Sequence, residues 1–170
     1  MKEKLSLQEK LARKRVKRPP AIPYLILINI WRLALNKKLG IHFTFRVRPS
    51  KDKEPYILIS NHASRVDYLY TAPAVLPHRL NYVVGYNEFF RSHLYPIFSL
   101  MQVIPKRNFT PDIHAVREII RVIRSGGRIC LFPEGMNSIS GGAQPCAIGS
   151  GRLLKHLGVT VYYTKIAGGY

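Results

Sequence analysis

The sequence predicts an α/β domain, with a mixed, largely parallel β-sheet flanked by helices. Three short, mainly apolar runs are typical of buried strands: Tyr56–Ile59, Leu80–Val84 and Arg128–Phe132. Longer segments with helical spacing of their apolar residues lie between these runs. Strands that alternate with helices favour parallel pairing, because a crossover helix returns the chain to the same edge of the sheet. At 170 residues, the chain is long enough for one such domain.

The remaining elements are predicted from the same patterns. Three further segments resemble strands: Ile41–Val47, Gln102–Ile104 and Val159–Ile166. Three segments have helical character: Val66–Leu76, Asn87–Leu100 with a break near Pro96, and Ala147–His156 before Gly158. The Gly- and Ser-rich stretch Pro133–Gly142 is predicted to be a loop.

One predicted helix has clear signals at both of its ends. Thr110 is predicted to be its N-cap, with Pro111 at the first helical position, Asp112 in the first turn and Gly126-Gly127 at the end. Its apolar face is predicted to contain Ile113, Val116, Ile120 and Ile123. A basic stripe contains Arg117, Arg121, Arg124 and Arg128. This stripe has two interpretations: a solvated face, or a surface that docks an acidic carrier or a lipid headgroup.

The chain is strongly basic, because 27 Lys and Arg oppose 9 Asp and Glu, a net charge of +18. Such a surface attracts nucleic acid, anionic lipid or an acidic carrier protein. Residues 1–20 are predicted to be a polybasic arm that ends at Pro19-Pro20. No helix-turn-helix, zinc-finger or RNA-recognition signature is present, so no nucleic acid partner is expected. The charge lies beside an apolar segment, which fits lipid better.

Residues 21–38 are predicted to be a membrane-associating helix. The run is shorter than the roughly 20 apolar residues that a spanning helix needs. On a helix, a narrow polar stripe contains Asn29, Arg32 and Asn36, while Tyr24 and Trp31 suit the headgroup level. We expect the helix to lie in the membrane surface, with the basic arm adding attraction to anionic lipid. The alternative is a core helix packed on its own domain.

The cysteines and the amino-terminal segment bear on the compartment. Cys130 and Cys146 do not make a disulfide framework, and the sequence lacks the cleavage site of a secretory signal, which indicates a reducing setting. No Cys/His cluster has the spacing of a zinc site, so no metal is expected. Together with the predicted membrane helix, these features predict a peripheral or monotopic protein on the cytoplasmic face of the cell membrane.

Among the six histidines, His62 directly follows a predicted buried strand, where α/β sheets place their active sites. Asp67 follows five positions later, and a turn would bring its carboxylate to one imidazole nitrogen. The other nitrogen would then be free as a general base. The alternative is structural, because Ser64-Arg65-Val66-Asp67 has the S-x-x-D form of a capping box. The two interpretations are compatible, since a carboxylate accepts several hydrogen bonds.

The segment Asn61-His62-Ala63-Ser64-Arg65-Val66-Asp67 resembles the N-H-x-S-x-x-D motif of the glycerolipid acyltransferases, in particular the 1-acylglycerol-3-phosphate acyltransferase family. A second block, Phe132-Pro133-Glu134-Gly135, resembles the start of that family's F-P-E-G-T-R-S block, and Ser138 also matches. The second block follows a predicted strand at the family's spacing. Two blocks in this order are more specific than either alone, and the resemblance spans residues 25–166.

The resemblance implies a role for each matched residue. His62 is expected to take the proton from the acceptor hydroxyl with the support of Asp67, while the hydroxyl attacks an acyl thioester. Substrate binding is expected from Glu134 and Gly135 at the acceptor site, Arg107 or alternatively Lys106 on the acceptor phosphate, and Asn61 and Ser64 of the first motif. No acyl-enzyme, metal or bound cofactor is required, and acyl-CoA or acyl carrier protein is the co-substrate.

Departures from the family's pattern bear mainly on the acceptor. Met136-Asn137 replaces the family's Thr-Arg, and asparagine lacks the charge and the bidentate fork of arginine. A family glycine is missing from the stretch Met101–Arg107, so the alignment of Arg107 depends on the register. The chain ends at Tyr170, sooner than family members usually do, which indicates a truncated chain or a short variant.

The sequence therefore predicts a polybasic arm (1–20), a membrane-associating helix (21–38) and an acyltransferase domain (39–170). The expected activity is acylation of a lysophospholipid, above all 1-acylglycerol 3-phosphate, to give phosphatidate. Two alternatives stay open. One is an acyltransferase for another acceptor, such as a different lysophospholipid or glycerol 3-phosphate. The other is a non-catalytic basic protein that binds membrane or nucleic acid.

Overall fold

The computed structural model describes residues 6–50, 54–90, 92–108, 110–138, 142 and 144–168. Its centre is a sheet of five strands: β1 (Tyr56–Ser60), β2 (Leu80–Gly85), β3 (Ile104–Lys106), β4 (Arg128–Leu131) and β5 (Thr160–Thr164). The strand order is β3-β2-β4-β1-β5, and all four pairings are parallel. The predicted α/β class is therefore confirmed, and the sheet is more uniformly parallel than predicted.

Helices flank this sheet on both faces. They are α1 (Leu7–Ala12), α2 (Ala21–Leu39), α3 (Tyr68–Ala74), α4 (Tyr86–Phe89), α5 (Tyr95–Leu100), α6 (Ile113–Arg124) and α7 (Ile148–Leu157). A 3₁₀ turn at Ser92–Leu94 separates α4 from α5, so the break predicted near Pro96 lies slightly earlier. Pro96 itself lies in the first turn of α5, where its missing N–H is tolerated.

Two apolar cores lie on opposite faces of the sheet, because successive side chains of a strand point to opposite sides. On one face, Leu58 and Tyr82 pack with Tyr24 of α2 and with α3. On the other face, Ile57 and Ile129 pack with the buried side of α6 and with α7. Helices α2 and α6 therefore lie on opposite sides of the sheet.

The strand predicted at Ile41–Val47 is wrong, because this segment has no regular secondary structure. Ile41, Phe43 and Phe45 are half-buried while the residues between them are exposed, which is the alternation that predicted a strand. Alternation describes one packed side of an extended chain and does not supply a neighbouring strand for the backbone hydrogen bonds. Arg48 instead lies over the Phe45 ring, 4.1 Å from its centroid.

The N-cap of α6 is Asp112 and not Thr110, so the predicted cap is wrong. Asp112 Oδ1 accepts a hydrogen bond from the Ala115 N–H (3.1 Å), and Oδ2 accepts one from the Arg107 N–H (2.7 Å). A carboxylate has acceptor oxygens for both donors, whereas a threonine hydroxyl serves mainly one. The same side chain thus begins α6 and holds the backbone at the end of β3.

Asp112→Ala is expected to lower the free energy of unfolding by about 1–2 kcal/mol, because α6 loses its cap and the Arg107 N–H loses its acceptor. Burial disfavours the Asp112 carboxylate, but the N–H donors of Arg107, Ala115 and His114 outweigh it and lower the pKa. Such a carboxyl stabilises the fold above its unfolded pKa of about 4, and this contribution is lost as the pH falls through the lower, folded pKa. Urea unfolding should therefore separate the variant from the wild type at pH 7, and the difference should shrink in acid. Equal stability at pH 7 would contradict the assignment.

The described part of the polybasic arm, residues 6–20, is docked on the domain. Leu11 and Val16 are buried, Leu11 in the core beside α2 and Val16 in the core beside α6. The Val16 N–H donates to Glu118 Oε2 (2.8 Å), and Asn81 Nδ2 donates to the Lys17 carbonyl (2.8 Å). Glu118 and Asn81 are themselves buried, so the arm fills hydrogen-bonding sites inside the fold. These contacts attach the amino end of α2 to the domain.

Helix α2 ends one residue beyond the predicted segment. Tyr24 is buried and its hydroxyl accepts a hydrogen bond from the Leu80 N–H (3.1 Å), so its predicted place at the headgroup level is wrong. The outer face of α2 carries an exposed apolar stripe at helical spacing: Ile22, Ile26, Ile30 and Leu33. Within the described ranges, no helix combines the length and apolar character needed to cross a membrane.

Candidate active site

The candidate site lies where β1 and β4 end, and these strands are neighbours in the sheet. Asn61 and His62 directly follow β1, while Phe132–Gly135 follows β4. Parallel strands end at the same edge, so two motifs that are far apart in the sequence meet there. Lys106 and Arg107, at the end of β3, lie at the same edge.

His62 and Asp67 form the pair that the sequence predicted. His62 Nδ1 lies 2.7 Å from Asp67 Oδ2, and the Asp67 side chain is fully buried. An ionised carboxylate only accepts hydrogen bonds, so a neutral imidazole in this pair would donate a hydrogen bond from Nδ1–H to Asp67. Nε2 would then be the unprotonated nitrogen, which is the state that a general base requires.

Asp67 also organises the turn before α3. Its Oδ2 accepts a hydrogen bond from the Ser64 N–H (3.0 Å), and its Oδ1 accepts one from Ser64 Oγ (3.2 Å). These bonds do not form the capping box that the sequence offered as the structural alternative, because the N-cap of α3 is Asp67 and its side chain makes no capping hydrogen bond. The carboxylate of Asp67 therefore joins the imidazole to the turn before the helix.

The second motif is attached directly to His62. The rings of His62 and Phe132 stack with centroids 4.3 Å apart and an interplanar angle of 21°. The His62 N–H donates to Glu134 Oε1 (3.3 Å), and the Ser138 N–H donates to the His62 carbonyl (2.8 Å). One ring contact and two hydrogen bonds thus fix the imidazole and its backbone to the loop after β4.

Gly135 makes the turn of this loop. Its φ of +79° lies in the left-handed region, where a side chain would strain the backbone, and its N–H donates to the Phe132 carbonyl (3.0 Å). The turn places Met136 and Asn137 on the wall of the pocket next to His62. The residues that depart from the family's pattern therefore line the same pocket as His62.

A pocket of about 1140 Å³ opens beside His62. Its inner wall is apolar and includes Tyr82, Phe98, Met101, Val103 and Leu131. Its polar part contains four cationic side chains, Arg65, Lys106, Arg107 and Arg117, and two acidic ones, Glu88 and Asp112. A pocket with an apolar interior and a basic mouth suits an amphiphile with an anionic head.

The Lys106–Arg107 segment is held in place by two contacts. Asp112 binds the Arg107 N–H, as described above. Asn108 packs against Gly85 at the end of β2, where an added Cβ would lie only 2.7 Å from Asn108 Nδ2. Glycine at position 85 therefore permits the close approach of the segment to the sheet.

The predicted site residues fall into two groups. His62, Lys106, Arg107 and Gly135 line the pocket. The others make contacts behind it: Asp67 and Ser64 with each other, Glu134 with the His62 N–H, and Asn61 with the Ile166 backbone. The Asn61 side chain accepts from the Ile166 N–H (2.7 Å) and donates to its carbonyl (3.0 Å), which joins the His62 loop to the segment after β5.

Sequence reasoning missed Arg65 and Arg117 as pocket residues. Arg65 lies inside the first motif and forms an exposed ion pair with Glu88 (3.9 Å). The position of Arg65 between His62 and Asp67 was the available signal. In the sequence, Arg117 is one member of a helical stripe, and its proximity to the pocket depends on how α6 packs on the sheet.

Cys130, on β4, is fully buried. Burial raises the pKa of the Cys130 thiol to about 12, so this cysteine is protonated at neutral pH. No group of three or more His, Cys, Asp or Glu in the described part of the chain is arranged to hold a metal ion.

Comparison with protein-family models identifies a family for this chain. A protein-family model described as Acyltransferase matches residues 41–164, well over half of the chain. The matched range includes β1 to β5 and both motifs at the candidate site. No curated protein and no solved structure gave a significant match.

Proposed function

The chain belongs to the acyltransferase family whose model matches residues 41–164, and on this premise we propose that it acylates a lysophospholipid. The proposed donor is an acyl thioester of coenzyme A or of acyl carrier protein. The proposed acceptor is 1-acylglycerol 3-phosphate, which would become phosphatidate. The main support is the hydrogen bond between His62 and Asp67 at the entrance to a pocket with an apolar interior and a basic mouth.

The proposed reaction is a direct transfer. His62 Nε2 accepts the proton of the acceptor hydroxyl while the hydroxyl oxygen bonds to the thioester carbonyl carbon. The tetrahedral adduct collapses by breaking the C–S bond, and the imidazolium returns the proton to the leaving thiolate. Asp67 stabilises the imidazolium between these two steps, so one side chain serves as base and then as acid.

The pocket suggests where each part of the substrates would lie. The apolar wall near Phe98 and Met101 would receive an acyl chain, because its burial releases water from apolar surface. Lys106 and Arg107 at the mouth would pair with the acceptor phosphate, and an arginine binds phosphate through two parallel N–H bonds.

Arg107→Ala is expected to raise the KM for 1-acylglycerol 3-phosphate about tenfold or more, because a charge-assisted hydrogen bond to phosphate is lost. Initial rates over a range of acceptor concentrations measure this effect. The same assay is run with a monoacylglycerol, which has the acceptor hydroxyl and lacks the phosphate. Arg152→Ala, on the exposed side of α7 and outside the pocket, is the matched control.

The acceptor panel separates the proposal from its alternative. Asn137 faces the pocket at the position where the family pattern has arginine, which favours a different acceptor as the second candidate. Other lysophospholipids and glycerol 3-phosphate therefore belong in the panel. If Arg107→Ala impaired the phosphate-free acceptor as much as the phosphate-bearing one, the phosphate assignment would be rejected.

We further propose that α2 lies on the membrane, at the cytoplasmic face. Its exposed stripe at Ile22, Ile26, Ile30 and Leu33 would enter the apolar boundary, while its opposite side stays in the core of the domain. The sequence allowed two interpretations of this segment, a membrane helix and a core helix. Both would then apply to α2, one to each of its sides.

The double substitution Ile26→Asp and Ile30→Asp is expected to weaken binding to anionic phospholipid vesicles at least tenfold, because two apolar side chains no longer enter the boundary. Vesicle co-sedimentation measures this. Ile148→Asp is the control, since Ile148 is 90% exposed on α7 and lies on the other side of the sheet. If the control and the α2 variant lost vesicle binding equally, membrane binding would depend on charge alone.

A further inference from the structure

The outer face of α6 has the composition of a protein-docking surface. The basic side chains Arg117, Arg121 and Arg124 lie in one exposed row at helical spacing. Beside this row runs an apolar stripe of Ile113, Val116 and Ile120, with Ile113 68% and Val116 39% exposed. The opposite side of α6 carries Ile119 and Val122 and supplies the packing of the helix on the sheet. The outer stripe is therefore apolar surface that the core does not use.

We propose that this face, defined by Arg117, Arg121 and Arg124 with Ile113, Val116 and Ile120, docks an acidic acyl carrier protein that delivers the acyl thioester. The inference rests on the proposed function, since it names the donor of that reaction. An acidic surface with apolar residues at its centre would match both stripes, because charge guides the encounter and apolar contact holds the complex.

The charge of the row is available for such a partner. Arg121 pairs with the buried Glu118 beside it. Across the parts of the chain that the structure describes, neither Arg117 nor Arg124 has an ion-pair partner. The row therefore presents uncompensated positive charge next to exposed isoleucine and valine.

The position of the row connects it to the reaction site. Ile113, Val116 and Arg117 line the pocket that contains His62, while Arg117 also borders a shallow groove that continues along Arg121 and Arg124. A carrier protein seated on α6 would thus stand at the mouth of the pocket, with its thioester arm directed inward.

Two observations favour a carrier protein over other anions. The face of α6 lies on the side of the sheet opposite to α2, so a membrane that contacts α2 does not reach it. The exposed apolar stripe beside the arginines also favours a protein, because the phosphates of coenzyme A would use only the positive charge, whereas a carrier protein can cover Ile113 and Val116 as well.

Arg124→Glu separates the two donors. The kcat/KM for acyl carrier protein with a given acyl chain is expected to fall about tenfold or more, because an attractive charge becomes repulsive. The kcat/KM for the coenzyme A thioester of the same chain is expected to stay within twofold. Arg152→Glu on α7 makes the same change of net charge elsewhere and is expected to affect neither donor.

The other possible results contradict either the docking surface or the proposed acyl transfer. Equal loss with both donors, or no loss with either, overturns the docking surface. Activity with coenzyme A thioesters alone also overturns it and leaves the acyl transfer intact. If neither donor reacts, the proposed function fails. The docking surface is then tested separately, by measuring salt-sensitive binding of the carrier protein to the full chain. Loss of that binding in Arg124→Glu supports the docking surface, whereas loss of anionic vesicle binding instead would identify a lipid contact.

Discussion

His62→Ala is expected to lower kcat for acyl transfer by about 10²–10⁴-fold, the usual contribution of a general base. The imidazole is the group between the buried Asp67 carboxylate and the pocket, and alanine leaves no base at that point. The hydroxyl would then have to lose its proton to water during the attack. Rates are compared at saturating donor and acceptor, so that a change in kcat is not hidden by a change in binding.

The fold of the variant has to be verified, because His62 also stacks on Phe132. Circular dichroism and thermal unfolding provide that check. The backbone bonds of His62 to Glu134 and Ser138 do not need the imidazole, so the loop is expected to stay in place. His156→Ala, an exposed histidine of α7, is the matched control and should keep the wild-type rate. A folded His62→Ala variant with undiminished kcat would remove His62 from the chemistry.

Asp67→Asn is expected to lower kcat by about 10²-fold or more while the protein stays folded. An asparagine keeps an acceptor oxygen for the Ser64 N–H, so the turn before α3 is preserved. The neutral amide does not stabilise the imidazolium that forms when His62 takes a proton. The amide also provides an N–H that can select the wrong tautomer of the ring.

Ser64→Ala separates the two roles of Asp67. This change removes the hydroxyl bond to Asp67 Oδ1 and leaves the carboxylate on His62 Nδ1. Its kcat is expected to stay within a few-fold of the wild type, with some loss of stability from the weakened turn before α3. If Ser64→Ala and Asp67→Asn reduced kcat equally, Asp67 would act mainly through that turn.

The parts of the fold that the sequence predicted well are those with strong local signals. β1 and β2 begin at the predicted residues, because a buried parallel strand appears as a short apolar run between polar residues. The meeting of His62 with the Phe132–Gly135 loop follows from the parallel sheet, in which strand ends share one edge. The acyltransferase superfamily indicated by the two motifs is confirmed by the family match.

The features that the sequence did not reveal depend on contacts between distant segments. Glu118 reads as an ordinary surface residue of α6, yet it is buried because the arm places the Val16 N–H above it. In the sequence, Tyr24 resembles a membrane-interface residue. In the structure, its hydroxyl accepts a hydrogen bond from the Leu80 N–H inside the fold. Thr110 is an acceptable N-cap by type, but Asp112 is used because it also satisfies the Arg107 N–H.

The most direct test of the proposed reaction is product analysis with the purified protein in phospholipid vesicles. The protein receives 1-acylglycerol 3-phosphate and an acyl thioester, either of coenzyme A or of acyl carrier protein. The expected result is phosphatidate, with one free thiol released for each molecule formed and no product without acceptor. Thiol release accompanied by free fatty acid, with no acylated lipid, would contradict the transfer and identify the chain as a thioester hydrolase.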